Sequence, residues 1–122
     1  MSFGARGGPW PEHCVQDTPG ASLRADLALP PEVVILSKGT DPDRDAYSAF
    51  DGTDLASLLR RAGVQRLWIG GLALDVCVRA TALDAVKAGF EARLIGGATR
   101  PVSASAGLLA VEELRRAGVV IV

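Results

Sequence analysis

Residues 67–89 decide the fold, and they read L-W-I-G-G-L-A-L-D-V-C-V-R-A-T-A-L-D-A-V-K-A-G. Residues 67–69 form an apolar run of strand length, and the glycines at 70–71 interrupt it. From Val76 onward the apolar residues recur at helical spacing, and Gly89 is a residue that commonly ends a helix. The stretch therefore predicts a strand, a tight turn and a helix.

Cys77 falls in the first turn of that predicted helix. Unpaired backbone N–H groups and the positive end of the helix dipole favour a thiolate at such a position. Cys77 is therefore a candidate nucleophile. The alternative is that it is a small buried apolar residue, as most free cysteines are.

Composition narrows the class of protein. The chain has 122 residues, which suits a single domain over 1–122, and a formal net charge of -1 from well-mixed charges. This balance provides no basic surface for nucleic acid or anionic lipid. No apolar run could span a bilayer, and the first residues lack the apolar core of a signal peptide. Because two cysteines make no disulfide framework, we expect a reduced, cytoplasmic protein.

Strands and helices are expected to alternate along the chain. Residues 1–31, rich in glycine and proline, are predicted to be mostly loop, and Pro42 fits a turn in an acidic loop. Further strands are predicted at 33–37, 91–95 and 119–122, and further helices at 55–62 (capped by Asp54) and 103–115 (capped by Ser103 or Ser105). Glycine pairs at 70–71 and 96–97 are read as turns. Alternating elements predict an α/β fold with a parallel sheet.

Ligands of such sheets bind at the carboxyl ends of the strands. Lys38 follows the strand predicted at 33–37, and the turn before Cys77 follows the strand at 67–69. If these strands are neighbours, Lys38 and Cys77 converge, and an ammonium group near a thiol favours the thiolate. The alternative for Lys38 alone is a solvated lysine at the end of a strand.

Three runs resemble the nicotinamidase (pyrazinamidase) branch of the isochorismatase-like cysteine hydrolases. They are W-P-E-H-C-V-Q-D-T-P-G-A at 10–21, K-G-T-D-P-D-R-D-A-Y-S-A-F at 38–50 and G-L-A-L-D-V-C-V-R-A-T-A-L-D-A at 71–85. The resemblance implies a three-layer α/β/α, Rossmann-like parallel sheet. It also implies hydrolysis of nicotinamide to nicotinate and ammonia through a cysteine thioester, in NAD salvage, with a divalent metal (zinc or iron).

The same resemblance assigns roles to residues near the nucleophile. Cys77 matches the family's nucleophile, and Lys38 matches the lysine of its catalytic triad. Leu72–Ala73 matches a peptide bond that is cis in the family. The N–H groups of Ala73 and Cys77 are then expected to form the oxyanion hole.

The resemblance also assigns a substrate pocket and one metal ligand. Trp10, Tyr47 and Leu72 match residues that line the nicotinamide pocket. His13, the only histidine, matches a metal-binding histidine.

The chain departs from the family pattern before Trp10, where neither the triad aspartate nor the Asp-x-His metal pair has a counterpart. Leu74 also stands where threonine is frequent, and Asp17 where glycine is frequent. Asp75 is expected to cap the helix that carries it. We therefore expect a member without its first strand, first helix and metal loop, so that the metal site is incomplete. Such a chain should hydrolyse nicotinamide poorly, whereas a version extended at its N-terminus should be active.

Other functions stay open at this point. A related amidohydrolase could act on another small amide, or a non-catalytic remnant could serve as an interaction module. A small Rossmann-like binding domain is disfavoured because no G-x-G-x-x-G run follows a strand. The expected partner is a small amide such as nicotinamide, with no nucleic acid and no membrane, and a homo-oligomer is left open.

Overall fold

The computed structural model describes residues 4, 8–41 and 43–122. The chain divides into two compact units, Met1–Asp45 and Ala46–Val122. The single domain expected over 1–122 stays a prediction, and Pro42, expected in a turn, lies outside the described residues.

The second unit carries the regular structure. In chain order its elements are α1 (Leu55–Arg61), β1 (Arg66–Leu72), a π-helical turn (Leu74–Val78), α2 (Arg79–Lys87), β2 (Glu91–Arg100), α3 (Ala104–Arg116) and β3 (Val120–Ile121). The three strands form one sheet in the order β1-β2-β3, and both pairs are parallel. The predicted alternation of strands and helices, and the parallel sheet, are confirmed for this unit.

The core lies between the sheet and the helices α2 and α3. Ala92 and Leu94 of β2 point to one face, where Ala82 and Ala85 of α2 and Leu114 of α3 join them in one buried cluster. The two small alanines allow α2 to approach the sheet closely. On the opposite face of β1 and β2, Trp68 is 56% exposed and the Arg93 guanidinium stacks over its ring at 5.1 Å.

Helix ends follow local sequence rules, with one correction. Gly63 and Gly118 have positive φ just after α1 and α3, as glycine at a C′ position does. Ser103 caps α3 by accepting a hydrogen bond from the Ala106 N–H at 3.4 Å. Asp54 precedes α1 but makes no capping bond with its side chain; the Leu55 N–H donates to the Thr53 hydroxyl at 3.4 Å.

The glycines predicted to end β1 lie inside it instead. β1 continues to Leu72, and the pairing shifts from Ile69 opposite Leu94 to Gly71 opposite Thr99, so that β2 bulges around 95–98. A Cβ on Gly70 would lie 3.2 Å from the Ala98 carbonyl oxygen. The glycine therefore allows the bulged β2 backbone to pass closely, which a turn prediction from sequence does not anticipate.

The first unit is mostly irregular. The described part of 1–31 contains a 3₁₀ turn, Pro19–Ala21, and the loop predicted for 1–31 stays a prediction. The buried strand predicted at 33–37 is wrong: the segment is irregular and exposed, with Val34 at 75% and Ile35 at 64%. A strand needs a hydrogen-bonded neighbour, and this segment is not part of the sheet. The helices in the described part of the chain all fall short of the apolar length that a bilayer-spanning helix requires.

Candidate active site around Cys77

A tight turn leaves the carboxyl end of β1. The Leu72–Ala73 peptide bond is cis, as the resemblance implied. The Ala73 carbonyl then accepts hydrogen bonds from the N–H groups of Val76 at 3.1 Å and Val78 at 3.0 Å. Because Val78 is five residues beyond Ala73, the second bond produces a π-helical turn. The helical segment therefore begins at Leu74, two residues before the predicted start.

Cys77 lies within this π-helical turn and is partly buried. Its neighbours Leu74 and Val78 are 8% and 5% exposed and pack into the core cluster. These two side chains anchor the turn to the core at the carboxyl end of β1. Cys14, in contrast, is exposed in the irregular first unit. The arrangement suits a nucleophile positioned beside helical amides.

Asp75 does not cap its own helical turn, contrary to expectation. Its Oδ1 accepts a hydrogen bond from the Val102 N–H at 2.9 Å, and its Oδ2 accepts one from the Ser103 N–H at 3.2 Å. Partial burial raises the pKa of Asp75, but its bonds with the N–H groups of Val102, Ser103 and Asp75 itself lower it more. The net pKa lies below its ordinary value of 3.8. The carboxylate thus joins the π-helical turn to the segment that leads into α3.

Two further contacts join the neighbourhood of Cys77 to later parts of the chain. Arg79 donates two hydrogen bonds to Glu113 of α3, at 2.6 and 2.8 Å. This pairing lowers the pKa of Glu113 and raises that of Arg79. On β2, the Thr99 hydroxyl donates to the Gly71 carbonyl at 2.7 Å. Both ends of the turn are therefore held by residues 99–113.

The other predicted residues of the second unit lie beside this turn or near it in the chain. Leu72 is 74% exposed at the end of β1. Tyr47 is half-buried. The Ala49 N–H, two residues further on, donates to the Thr81 hydroxyl of α2 at 2.9 Å. Because Thr81 lies one helical turn beyond Cys77, the Tyr47 segment is tied to the start of α2. Leu72 therefore ends β1, Ala73 follows it, and Cys77 lies in the π-helical turn that begins at Leu74.

Three predicted residues belong to the first unit. Trp10 is half-buried, whereas His13 and Lys38 are exposed. Their proposed roles, and the expected convergence of Lys38 with Cys77, stay predictions.

His13 has one feature that suits a metal ligand. Its Nδ1 lies 2.7 Å from the Pro11 carbonyl oxygen, which can only accept, so Nδ1 is the donor in this hydrogen bond, as in many metal-binding histidines. A protein zinc site, however, takes about four ligands. Within residues 4, 8–41 and 43–122, no group of three or more His, Cys, Asp or Glu could hold a metal ion. The described residues do not fit a complete metal centre.

Sequence reasoning missed the anchors of the turn. Asp75, Thr99 and Glu113 bond partners 27 to 34 residues away in the chain. No local spacing rule predicts such pairs, because they depend on the parallel crossover between β1 and β2 and on the packing of α2 against α3.

Comparison with known proteins places these features in a family. The model of the isochorismatase domain matches residues 3–122. The nicotinamidase/pyrazinamidase of Mycobacterium tuberculosis is 40% identical over 118 residues, which cover 93% of this chain and 62% of that protein.

Solved structures show the same similarity. The pyrazinamidase of Pyrococcus horikoshii in complex with zinc has a TM-score of 0.94 and 52% identity, over 99% of this chain and 66% of that one. PnC1 from L. infantum in complex with nicotinate also has a TM-score of 0.94, with 41% identity, over 99% of this chain and 64% of that one. These matches confirm the predicted isochorismatase-like fold, a parallel sheet with flanking helices.

The chain thus spans less than two thirds of the length of these relatives. The family match, in contrast, extends over nearly all of this chain and includes the turn around Cys77. The chain belongs to the isochorismatase domain family.

Proposed function

We propose that this protein is a cysteine amidohydrolase that converts nicotinamide to nicotinate and ammonia. The observation that carries the proposal is the position of Cys77, partly exposed in a helical turn at the carboxyl end of β1. This is where ligands bind in open parallel sheets. The relatives named as nicotinamidases support the choice of a pyridine carboxamide as substrate.

In the proposed reaction the Cys77 thiolate attacks the carboxamide carbon, and the carbonyl electron pair moves to oxygen. Backbone N–H groups of Ala73 and Cys77 stabilise that oxyanion. The C–N bond of the tetrahedral intermediate then breaks as its nitrogen takes a proton from solvent, and ammonia leaves a thioester at Cys77. Water adds to the thioester carbon, the C–S bond breaks, and nicotinate leaves with the Cys77 thiolate restored and the protons of the water returned to solvent.

The remaining residues take supporting roles in this proposal. Tyr47 and Leu72 line the pyridine ring, while the pocket role of Trp10 and the catalytic role of Lys38 stay predictions from the family resemblance. Because the described residues do not fit a complete metal centre, no step is assigned to a metal, although one similar protein is in complex with zinc. The product is a precursor for NAD salvage, and we place the protein in the cytoplasm.

The test uses nicotinaldehyde, an inhibitor bound to the yeast nicotinamidase Pnc1p, which is 31% identical to this chain. A thiolate adds to the aldehyde carbon, the oxygen takes a proton, and a hemithioacetal forms without a leaving group. With ¹³C-carbonyl nicotinaldehyde, NMR should show this adduct for the wild-type chain and for Cys14→Ala. The adduct should be lost in Cys77→Ala.

Two outcomes would overturn the proposal. An adduct that persists in Cys77→Ala and disappears in Cys14→Ala would show that Cys14, and not Cys77, is the nucleophile. Equal affinity for benzaldehyde, which lacks the pyridine nitrogen, would remove the case for a nicotinamide substrate and favour another small amide. Ammonia release from nicotinamide, with the same variants, then measures turnover.

A further inference from the structure

Asp75 lies in the same π-helical turn as Cys77, two residues before it. Both oxygens of its carboxylate are occupied, one by the Val102 N–H at 2.9 Å and the other by the Ser103 N–H at 3.2 Å. We propose that Asp75 is a positioning residue that holds the thiol and the amides of this turn in the geometry needed for addition to a carbonyl. The inference rests on the proposed function of Cys77.

The two other side-chain hydrogen-bond anchors described above act on the flanks of the turn. The Thr99 hydroxyl bonds Gly71, which still belongs to β1. Arg79 begins α2, and its guanidinium bonds Glu113. Only Asp75, among these anchors, belongs to the turn that carries the nucleophile. Its bonds therefore fix how far the turn stands from the segment before α3.

That segment is itself fixed, so it can serve as a reference point. The Ser103 hydroxyl caps α3, and the Gly107 N–H donates to the Ser103 carbonyl at 2.9 Å. Gly107 allows Pro101 to lie against the first turn of α3. The carboxylate of Asp75 thus connects the turn that carries the Cys77 thiol to the start of α3. That helix is anchored in the core by Leu114, which is fully buried.

Two reactions of the Cys77 thiol can distinguish a positioning role of Asp75 from a purely structural one. Addition of the thiolate to an aldehyde develops charge on oxygen, so it needs the thiol and the oxyanion donors in register. Alkylation by iodoacetamide, a displacement at a saturated carbon, needs the thiolate but no oxyanion donors. A positioning residue should therefore affect the first reaction more than the second.

The experiment compares the wild type, Asp75→Asn and the control Asp54→Asn. Asp54 is an exposed carboxylate of the same unit and makes no capping bond with its side chain. In Asp75→Asn the amide nitrogen cannot accept a hydrogen bond, so one of the two N–H partners is lost. We expect the affinity for nicotinaldehyde, measured from adduct formation, to fall on the order of 10- to 100-fold. The rate of Cys77 alkylation should change by less than about twofold. Asp54→Asn should change neither.

The outcomes are distinguishable. If the wild type forms no Cys77 adduct, the proposed function fails; if it does and Asp75→Asn binds equally well, only the positioning role fails. Equal losses in both reactions would reduce Asp75 to a structural residue and overturn the inference. Circular dichroism checks that each variant folds. Should Asp75→Asn not fold, Asp75→Glu, which keeps both oxygens but displaces them by a methylene, must show the same selective loss of the adduct.

Discussion

At the scale of single residues, the two cysteines differ in what surrounds their sulfur atoms. Cys77 lies among the amides of a helical turn. Cys14 is exposed in an irregular segment, and its own backbone has a φ of 47°. Exposure alone favours Cys14 as the more reactive thiol. The position within a helical turn at the carboxyl end of β1 favours Cys77 instead. The two readings make opposite predictions.

We expect Cys77 to react faster than Cys14 with iodoacetamide at neutral pH, because the thiolate is the nucleophilic form. Peptide mass spectrometry after brief labelling measures both sites in the same sample. Labelling after denaturation is the control, since the two thiols should then react at about the same rate. Preferential labelling of Cys14 in the folded protein would contradict the prediction.

At the scale of elements, the contact between α3 and the segment before it depends on a glycine. A Cβ on Gly107 would lie 2.7 Å from the Cβ and 2.9 Å from the Cγ of Pro101, closer than real Cβ contacts. Pro101 precedes the two residues whose N–H groups bond Asp75. The packing of α3 and the position of the π-helical turn are therefore coupled.

Gly107→Ala should destabilise the protein by about 1–3 kcal/mol through overpacking, although alanine normally favours a helix over glycine by ~1 kcal/mol. Urea unfolding measures the change in the free energy of unfolding. Gly97→Ala is the matched control, because nothing lies within 4 Å of its Cβ position, and it should change stability by less than about 0.5 kcal/mol. A Gly107→Ala variant as stable as the wild type would show that Pro101 moves freely.

At the scale of the whole molecule, charged pairs that join distant parts of the chain make stability depend on pH. The hydrogen bonds from Arg79 hold the pKa of Glu113 below its ordinary value of 4.5. A carboxyl whose pKa is lowered by folding stabilises the protein fully above its unfolded pKa. That contribution is lost as pH falls through the lower folded pKa.

The free energy of unfolding should therefore fall as the pH drops from about 5 to 3, and Glu113→Gln should make this fall less steep. At neutral pH the same variant should be less stable than the wild type, because Arg79 loses its anionic partner. Urea unfolding at a series of pH values measures both effects. Parallel curves for the two proteins would mean that the pair contributes nothing to the pH dependence.

The sequence by itself determined the local elements of the second unit. Apolar periodicity predicted the helices that contain Ala82 and Leu114, and Gly63 and Gly118 marked helix ends through their freedom to adopt positive φ. The motif around Cys77 predicted the family, and the family resemblance in turn implied the cis peptide bond. These features depend on neighbours a few residues apart, so the sequence records them directly.

Only the tertiary structure decided the features that depend on distant partners. The segment 33–37 has the composition of a buried strand, yet it is irregular, because strand formation requires a neighbour that composition does not reveal. Gly70 continues a strand that its sequence would end, because it passes against Ala98 of β2. Asp75 bonds Val102 and Ser103 because the parallel crossover carries the chain back to the same edge of the sheet.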